Sequence, residues 1–470
     1  MREAPKNFIL ITQSYPPCRF STAAQNRLLG FARYLPEFGL SPIVINRQCR
    51  CGMEKAMEKN EWLVTREILT KKDFHAQLHR HLLERDPAKP FVIRYVSQPS
   101  LAFRVWRWAA FRTGVRQSYT GHYFPAVSFT PEIFSRDLKW AAWVLIRKFS
   151  ALMIRLGFEE ADWTAQGTAI AKSVSDRISL HAVMSSYPVF SDHRIAYRIA
   201  RAKRLPWIAD FRDALFRRKE LWLRAGRLFR SGFLKKADVT LHVTPQEKSR
   251  DRIRLGRRSE VVENGFLEEE IREASSRASK NTDSFTIRYL GRMYQPLHRK
   301  SMDIFFEGFG LFLKKSALKP GQAVLEVYGL ASHCFREKAD HFGLSPWLKT
   351  FGQVPHMRAL DLMASAAALV LPVHPRLPGC PGSKFYEYLG MCRPVLAVGG
   401  PEDYVEGILR RTGTGRMANG FDQVASILES WYQEVRSTGD VRLAYDREEI
   451  LKYSRRNQAK KLAAIMNSIP

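Results

Sequence analysis

The chain is 470 residues long, which is enough for two or three domains. Hydrophobic residues make up 45% and charged residues 26% of it, ordinary values for a globular protein, so long disorder is not expected. Lysine and arginine outnumber aspartate and glutamate 75 to 46. The resulting formal charge of +29 predicts an acidic partner: a nucleotide, a nucleic acid or an anionic membrane surface. No run of about 18 uncharged apolar residues occurs, so no transmembrane helix is expected.

The six cysteines are scattered, and only Cys49 and Cys51 are close together in the sequence. No second pair of Cys or His residues lies near them to complete a zinc site. This distribution predicts reduced thiols and a cytoplasmic location.

The first fifty residues predict one β-α-β unit. Residues 8–12 form an apolar run typical of a buried strand, residues 23–35 have helical periodicity that ends at Gly39, and residues 41–46 are a second strand. Short links between a strand, a helix and a strand imply a parallel pair with a right-handed crossover.

The same rhythm returns further along the chain in two series. The first predicts strands at 180–186, 206–210, 239–243 and 260–263, with a helix at 192–203. The second predicts strands at 284–290, 323–328, 348–351, 368–371 and 395–398, with helices at 301–313, 357–366 and 384–390. The polar stretch 268–283 between them is interpreted as a linker.

These elements predict an α/β fold with two Rossmann-like parallel-sheet domains facing across a cleft, where ligands commonly bind. The predicted boundaries are residues 1–268 for the N-terminal domain and 269–450 for the C-terminal domain. Residues 451–470 are expected to form a helix that packs back on the N-terminal domain.

Residues 74–165 fit this rhythm poorly and are interpreted as a basic and aromatic insertion. Within them, residues 134–157 have an apolar helical stripe, with basic residues and two tryptophans on the remaining surface. Similar mixtures occur at 101–108 and 215–236. The pattern suits an anionic membrane interface, and it equally suits a core-facing helix with a solvated basic back.

Three positions after the predicted strand 284–290 suit a diphosphate. Gly291 would let the backbone approach a ligand, Arg292 carries a guanidinium fork, and Lys300 begins the next helix, whose N-terminus attracts anions. Neither a GxGxxG motif nor a P-loop is present to bind phosphate instead. The alternative is that Arg292 is an ordinary surface arginine.

A second candidate is the glycine turn that opens the helix at 384–390. Lys384 lies in the first helical turn, where a cation is unfavourable unless it meets an external anion. Glu387 lies on the same face and can accept two hydroxyl groups of a ribose or sugar. A simple helical Lys–Glu pair at i, i+3 remains the alternative.

A third candidate follows the strand 206–210. Asp210, Arg212 and Asp213 are close together in the sequence, and His193 at the start of the preceding helix can face the same place. The alternatives are a self-satisfied ion-pair cluster and a structural histidine.

Taken in order, these segments resemble the retaining GT-B glycosyltransferases of family four, which build bacterial polysaccharides and lipid-linked sugars. The resemblance covers most of the chain outside roughly residues 50–135. The matching segments are Tyr15-Pro16-Pro17 and residues 33–46, 185–193, 205–215, 264–266, 289–300 and 383–397.

The resemblance implies a role for each candidate. Arg292, Lys300 and Lys384 would hold the donor diphosphate, and Gly291 and Tyr386 would line the donor site. Glu387 would bind the nucleotide ribose, and Val354 would lie near the base. The acceptor-side residues implied in the same way are Pro17, Ser21, His193, Asp210, Arg212 and Asp213, and the catalytic ones are Arg292, Lys300 and His193, the last as a secondary candidate for taking the acceptor proton.

The resemblance also implies the chemistry and the partners. The donor would be a UDP- or GDP-linked sugar, transfer would proceed with retention, and neither a metal nor another cofactor would be needed. The acceptor would be a lipid-linked or cell-surface glycan at the inner face of the cytoplasmic membrane, whose anionic lipids would bind the basic surface.

Two positions depart from the family pattern. Gly379 stands where the family often has the first of two glutamates, and Phe20-Ser21-Thr22 replaces its N-terminal loop glycines. A catalytically degenerate GT-B scaffold is therefore an alternative. A nucleic-acid-binding protein is a further one on charge alone, although no nucleic-acid module is recognised and no nucleic-acid partner is expected.

Overall fold

The computed structural model describes residues 4–13, 15–16, 22–47, 61–64, 74–95, 116–118, 126–128, 161–186, 190–212, 232–249, 258–279, 284–291, 298–330, 332–373, 381–399 and 403–469. The chain divides into two compact units. Unit 1 comprises Met1–Val243, Lys248–Val262 and Ala459–Pro470, and unit 2 comprises Thr244–Glu247 and Glu263–Gln458.

Unit 1 is built on a parallel sheet of eight strands. In chain order its described strands are β1 (Lys6–Thr12), β2 (Leu40–Arg47), β3 (Glu61–Val64), β4 (Phe91–Tyr95), β5 (Arg116–Ser118), β6 (Ala126–Ser128), β7 (Ala182–Ser186), β8 (Trp207–Phe211), β9 (Val239–His242) and β10 (Arg258–Val261). The sheet has the order β10-β9-β8-β7-β1-β2-β4-β3, while β5 and β6 form a separate antiparallel pair.

The helices of unit 1 explain why its central strands are apolar along their length. Those that the structure describes are α1 (Thr22–Tyr34), α2 (Phe74–Glu84), α3 (Ala161–Ser175) and α4 (Phe190–Lys203). Parallel strands linked by helical crossovers are covered on both faces, and Phe8 to Ile11 of β1 are accordingly fully buried.

Part of the expected insertion belongs to this sheet. The helix α2 buries Phe74, Leu78 and Leu82, and β4 pairs in parallel with both β2 and β3. Residues 74–95 are therefore elements of the Rossmann-like domain rather than of a basic insertion, because their apolar positions face its core. The expected helix at 134–157 and the segment 101–108 lie outside the described residues.

Unit 2 contains a second parallel sheet, in the order β13-β12-β11-β14-β15-β16. Its strands are β11 (Phe285–Leu290), β12 (Ala323–Tyr328), β13 (Leu348–Phe351), β14 (Ala368–Pro372), β15 (Val395–Val398) and β16 (Gly415–Ala418). Its helices begin with α5 (Glu268–Arg277), α6 (Arg299–Lys315), α7 (Ser332–His341), α8 (His356–Ala364) and α9 (Ser383–Gly390). They continue with α10 (Asp403–Thr412), α11 (Phe421–Thr438), α12 (Arg447–Leu451) and α13 (Arg455–Asn467), the last of which runs on into unit 1.

The predicted linker at 268–283 is wrong for most of its length, because its first ten residues form α5. Three glutamates occupy the first turn of α5, where they complement the positive end of the helix. Ile271 and Ala274, three residues apart, are buried in the core that contains α8 and α9. Two apolar positions one turn apart are enough to dock a polar helix.

The predicted fold class is confirmed: the protein has two Rossmann-like parallel-sheet domains. The predicted strands 323–328, 348–351 and 395–398 have the observed bounds, and most other bounds differ by one or two residues. In unit 1 the end of α13 reaches the start of β7, where Met466 O lies 3.2 Å from His181 Nε2.

Among the described residues, no helix combines the length and the apolar character needed to cross a bilayer.

Candidate functional site

The topological switch point of the unit 2 sheet lies at its centre, between β11 and β14. It is here called the dividing point, because the chain runs outward from it in opposite directions. The strands β11 and β14 are neighbours, but the chain continues from β11 outward to β12 and from β14 outward to β15. In open parallel sheets, the crevice outside the carboxyl ends of two such strands is the usual ligand site. The residues after Leu290 and Pro372 border this crevice.

Gly291 and Lys384 meet at the carboxyl end of β11. Gly291 has a φ of +153°, and a Cβ built on it would lie 3.2 Å from both Cδ and Cε of Lys384. The Lys384 stem therefore lies over the Gly291 backbone. Gly329, after the next strand, approaches just as closely, since a Cβ there would be 2.5 Å from Gly291 O. Glycine at both positions lets these segments approach each other more closely than a side chain would allow.

The N-terminus of α6 is fixed at the same crevice. The Ser301 hydroxyl is fully buried and donates to Val373 O at 2.6 Å, which ties the first turn of α6 to the end of β14. Lys300 is exposed in that turn, and His298 at the N-cap makes no side-chain capping bond. The amide groups of the helix start and the exposed cations Arg299 and Lys300 thus lie where an anion is favoured.

One oxygen of the Glu387 carboxylate lacks a hydrogen-bond donor among the described residues. Its side chain is 13% exposed, and its Oε2 is buried and accepts no hydrogen bond within the described part of the chain. The Nζ of Lys384 lies 3.9 Å away, beyond hydrogen-bonding distance. The simple i, i+3 pair is therefore present but loose, and it leaves an acceptor for a ligand hydroxyl.

A histidine that the sequence analysis did not single out lies near Glu387. His356 begins α8, and its Nε2 is 2.9 Å from Glu270 Oε2 on α5. The hydrogen bond with Glu270 raises the pKa of His356 most, and the charge of Glu387 raises it further. The only sequence signal was its position just after the carboxyl end of a strand.

Tyr386 is buried in the core of unit 2, whereas Val354 is only half-buried against it. Tyr386 is 1% exposed, and its hydroxyl shares a 3.2 Å hydrogen bond with the hydroxyl of Tyr404, so its side chain lies in the core. Val354 follows β13 and is half-buried against the same core, next to exposed Gly352. Donor roles for both stay predictions.

In unit 1, Asp210 at the end of β8 is bonded by residues from two other elements. Arg27 Nη2 of α1 donates to its Oδ1 at 2.8 Å, and the Ser186 hydroxyl donates to its Oδ2 at 2.9 Å. Both Arg27 and Asp210 are 0% exposed. Burial alone would raise the pKa of Asp210, but the attraction of Arg27 outweighs it and the pKa is lowered. Asp210 is thus ion-paired with Arg27, a partner outside the cluster of Asp210, Arg212 and Asp213 that the sequence analysis considered.

His193 is also enclosed by its own domain. Its side chain is 0% exposed, its Nδ1 lies 2.7 Å from Ser185 Oγ, and its ring is 5.0 Å from that of Phe211. The Ser185 hydroxyl in turn accepts a bond of 2.8 Å from Trp207 Nε1. Burial lowers the pKa of His193 to about 3, so the imidazole is neutral at physiological pH.

The dividing point of the unit 1 sheet lies between β1 and β7. There Asp192 of α4, the helix after β7, is hydrogen-bonded to the residue that follows β1. Asp192 is 1% exposed in the first turn of α4 and accepts hydrogen bonds from Gln13 N at 2.9 Å and Trp163 Nε1 at 2.7 Å. Gln13 Nε2 also donates to Ser191 Oγ at 3.0 Å. This network anchors the start of the loop after β1.

Of the remaining predicted site residues, the structure describes Arg212. Arg212 directly follows β8 and is half-buried, and its charge lowers the pKa of both His193 and Asp210. The others lie outside the described residues: Pro17, Ser21, Asp213 and Arg292. No group of three or more metal-ligating side chains is found among the residues that the structure does describe.

Comparison with known proteins shows the fold. No family model and no curated protein matches the chain. Among solved structures, it is similar to sucrose-phosphate synthase from Thermosynechococcus elongatus, with a TM-score of 0.59 and 11% identity over 98% of each chain. It is also similar to the Anabaena protein HepE in complex with UDP and glucose, with a TM-score of 0.56 and 12% identity over 99% of this chain and 100% of that one.

A third similar structure is α,α-trehalose 6-phosphate synthase from Burkholderia multivorans. Its TM-score is 0.53, with 9% identity over 99% of this chain and 96% of that one. The chain has the GT-B fold. Both sheets, in their observed strand orders, match this architecture.

Proposed function

We propose that this protein is a glycosyltransferase that takes its sugar from a nucleotide-sugar donor. The GT-B fold supports the proposal, and so does the likeness to HepE, whose structure was solved with UDP and glucose. Because a fold alone does not specify a function, the proposal depends on the site in unit 2.

The observation that carries the proposal is Glu387 Oε2, which is buried and accepts no hydrogen bond from the residues that the structure describes. A buried acceptor without a hydrogen bond is costly, so such a group is expected to meet a donor when a ligand binds. It lies three residues from Lys384, whose stem covers Gly291 at the dividing point of the sheet. A nucleoside diphosphate supplies both hydroxyl groups for the carboxylate and phosphate oxygens for the cation.

The proposed donor site follows from this placement and from the family resemblance. Lys300, Lys384 and Arg292 hold the diphosphate near the Gly291 backbone. Glu387 accepts the ribose hydroxyl groups. The residues after β13, including Val354, lie near the base, which is uracil or guanine.

The proposed reaction proceeds with retention and without a metal. The bond between the anomeric carbon and the diphosphate oxygen breaks, and the acceptor oxygen bonds to the same face of that carbon. The cationic side chains stabilise the departing diphosphate in place of a metal. The acceptor proton passes to a donor phosphate oxygen. His193 is a weaker candidate for this proton, since it is fully buried in this structure.

The acceptor is proposed to be a lipid-linked or cell-surface glycan, bound by residues of unit 1. Pro17, Ser21, Arg212 and Asp213 are the proposed contacts. Asp210 would act indirectly, because Arg27 and Ser186 occupy its carboxylate. The protein would work in the cytoplasm, peripherally at the anionic inner face of the membrane.

Donor binding can be tested with UDP and GDP as probes, without knowledge of the sugar. A ligand that binds only the folded protein raises its melting temperature by mass action, and calorimetry gives the affinity. One of the two nucleotides should bind the wild-type protein. Glu387→Gln should weaken that binding roughly 10- to 100-fold, since hydrogen bonds to a charged group contribute about 1.5–3 kcal/mol each.

Glu307→Gln is the matched control, because Glu307 is an exposed glutamate of α6 in the same unit. It should leave nucleotide affinity unchanged. Failure of both nucleotides to bind the wild-type protein would refute the proposal. Nucleotide binding without turnover of any sugar nucleotide would favour the degenerate scaffold, for which Gly379 in place of a glutamate is the sequence argument.

A further inference from the structure

An aromatic ring is partly exposed at the carboxyl end of β13. Phe351, the last residue of that strand, is 39% exposed. Its ring lies 4.5 Å from that of Tyr328, the last residue of β12, and the two planes differ by 9°. One face of Phe351 is thus covered by a stacked tyrosine, while the exposed part of the ring is accessible to another flat group.

Tyr328 holds this ring on a fixed support. It is 9% exposed, and its hydroxyl donates to Glu326 Oε2 at 3.2 Å. The same carboxylate oxygen accepts a bond of 2.8 Å from Arg288 Nε. At the start of α7, the Ser332 hydroxyl donates to Phe351 O at 2.7 Å. Because the support is already ordered, a ligand that stacks on Phe351 pays little entropy to fix it.

The surroundings of Phe351 are apolar and open. Leu330, just after β12, is 47% exposed, and a Cβ on exposed Gly352 would meet nothing within 4 Å. Gly329 N donates to Gly352 O at 3.1 Å, so the ends of the two strands run side by side. Single exposed apolar residues are ordinary on a protein surface. Two at neighbouring strand ends, on the edge of a parallel sheet where ligands usually bind, indicate a contact surface.

Phe351 lies on the side of the sheet that carries Glu387. Leu290, Tyr328 and Phe351 are in register on three neighbouring parallel strands, so their side chains point to the same face. Leu290 and Tyr328 belong to the core that includes α9, the helix of Glu387. Strands roughly 4.8 Å apart place the end of β13 about 10 Å from the end of β11, which Gly291 follows. A nucleotide carries its base and its phosphates on opposite sides of the ribose, so it can extend along this edge.

We propose that the base of the donor nucleotide stacks on Phe351. The base continues the stack that Tyr328 and Phe351 begin, while Glu387 accepts the ribose hydroxyl groups and Gly291 borders the diphosphate. Stacking of this kind supplies affinity for any base, because every base has a π-face. The inference rests on the proposed function and deepens it, since it assigns base affinity to an aromatic residue that the sequence analysis did not select.

Calorimetry with probes that carry or lack a base tests the stacking residue. Phe351→Ala should weaken the binding of UDP or GDP, whichever binds the wild-type protein, roughly 5- to 150-fold, the range for loss of one base–aromatic stack. The same variant should bind inorganic diphosphate, which has no base, like the wild type. Phe351→Tyr keeps the ring and should keep the nucleotide affinity.

Two further variants separate stacking from folding. Phe351→Leu keeps an apolar side chain over Tyr328 but has no π-face, so it should bind the nucleotide more weakly than Phe351→Tyr does. Phe421→Ala is the matched control, because Phe421 is 38% exposed at the start of α11 in the same unit. It should bind the nucleotide like the wild type.

An unchanged nucleotide affinity in folded Phe351→Ala would overturn the assignment and leave the proposed donor site in place. Equal losses in Phe421→Ala would do the same. So would a parallel loss of nucleotide and inorganic diphosphate, since the substitution would then disturb the site as a whole. A wild-type protein that binds neither UDP nor GDP would refute the proposed function itself, which is a different result from any of these.

Discussion

Arg27 and Asp210 form a fully buried ion pair of 2.8 Å across 183 residues of sequence. Arg27 lies on α1, which follows the loop after β1, and Asp210 ends β8, which leads to Arg212. The Arg27 guanidinium also lies 4.8 Å from the centre of the Phe31 ring. One pair thus joins α1 to the end of β8, the two elements next to the segments that are proposed to bind the acceptor.

Replacing one partner of this pair should lower the free energy of unfolding much more than replacing both. Arg27→Met or Asp210→Leu alone leaves an uncompensated buried charge and should lower the free energy of unfolding by about 3–5 kcal/mol. The double variant replaces the pair by apolar side chains and should recover most of that loss. Urea unfolding of the four proteins measures the coupling.

Additive losses in the double variant would contradict this account of the pair. Nucleotide affinity supplies the control, because the proposed donor residues lie in unit 2. It should be unchanged in any variant that remains folded at the assay temperature.

Two buried histidines should make unit 1 sensitive to acid. Burial lowers the pKa of His193 to about 3 and that of His242 to about 4, whereas an unfolded histidine titrates near 6.5. Between those values the unfolded chain binds protons that the folded protein does not. The free energy of unfolding should therefore have its full value above about pH 6.5. On acidification towards pH 4 it should fall by about 1.4 kcal/mol per pH unit for each histidine.

His193→Gln should reduce this slope by the contribution of one proton, even if the variant is less stable at neutral pH. His79→Gln is the control for loss of an exposed histidine, on α2. Urea unfolding at a series of pH values measures the slopes. An unchanged slope in His193→Gln would mean that this imidazole is already charged in the folded protein.

The sheets were predictable from the sequence because their strands are continuous apolar runs. A run such as residues 323–328, followed by a helical pattern, permits few other structures. The apolar pattern was less informative where a buried strand itself contains a charged residue. Arg94 within β4 is 4% exposed and donates to Pro16 O at 2.6 Å, and local sequence does not reveal a partner 78 residues away.

The candidate site was predictable to the extent that its residues follow strands. Gly291, Lys300, Lys384 and Glu387 all flank the dividing point of one sheet, because strand ends and helix starts meet there. The distances in the pair of Lys384 and Glu387 were not predictable, since helical spacing alone permits a tight pair. Long-range partners such as Arg27 also carry no local signal.

The helix α5 should contribute to stability rather than act as a linker. Ile271 is 8% exposed in the core of unit 2, so Ile271→Ala should lower the free energy of unfolding by about 2–3 kcal/mol. Arg272→Ala, at the exposed neighbour on the same helix, should change it by less than about 0.5 kcal/mol. Urea unfolding compares the two, and equal small effects would restore the interpretation as a linker.

Gly291→Ala should weaken nucleotide binding through Lys384. At a φ of +153° an alanine is strained by about 1–3 kcal/mol, and its Cβ would press on the Lys384 stem at 3.2 Å. Displacing that stem moves the ammonium group, so nucleotide affinity should fall about tenfold, measured by calorimetry on the folded variant. Gly232→Ala is the control, because a Cβ there meets nothing within 4 Å. A variant of Gly291 that loses stability but keeps wild-type nucleotide affinity would show that this glycine serves the fold alone.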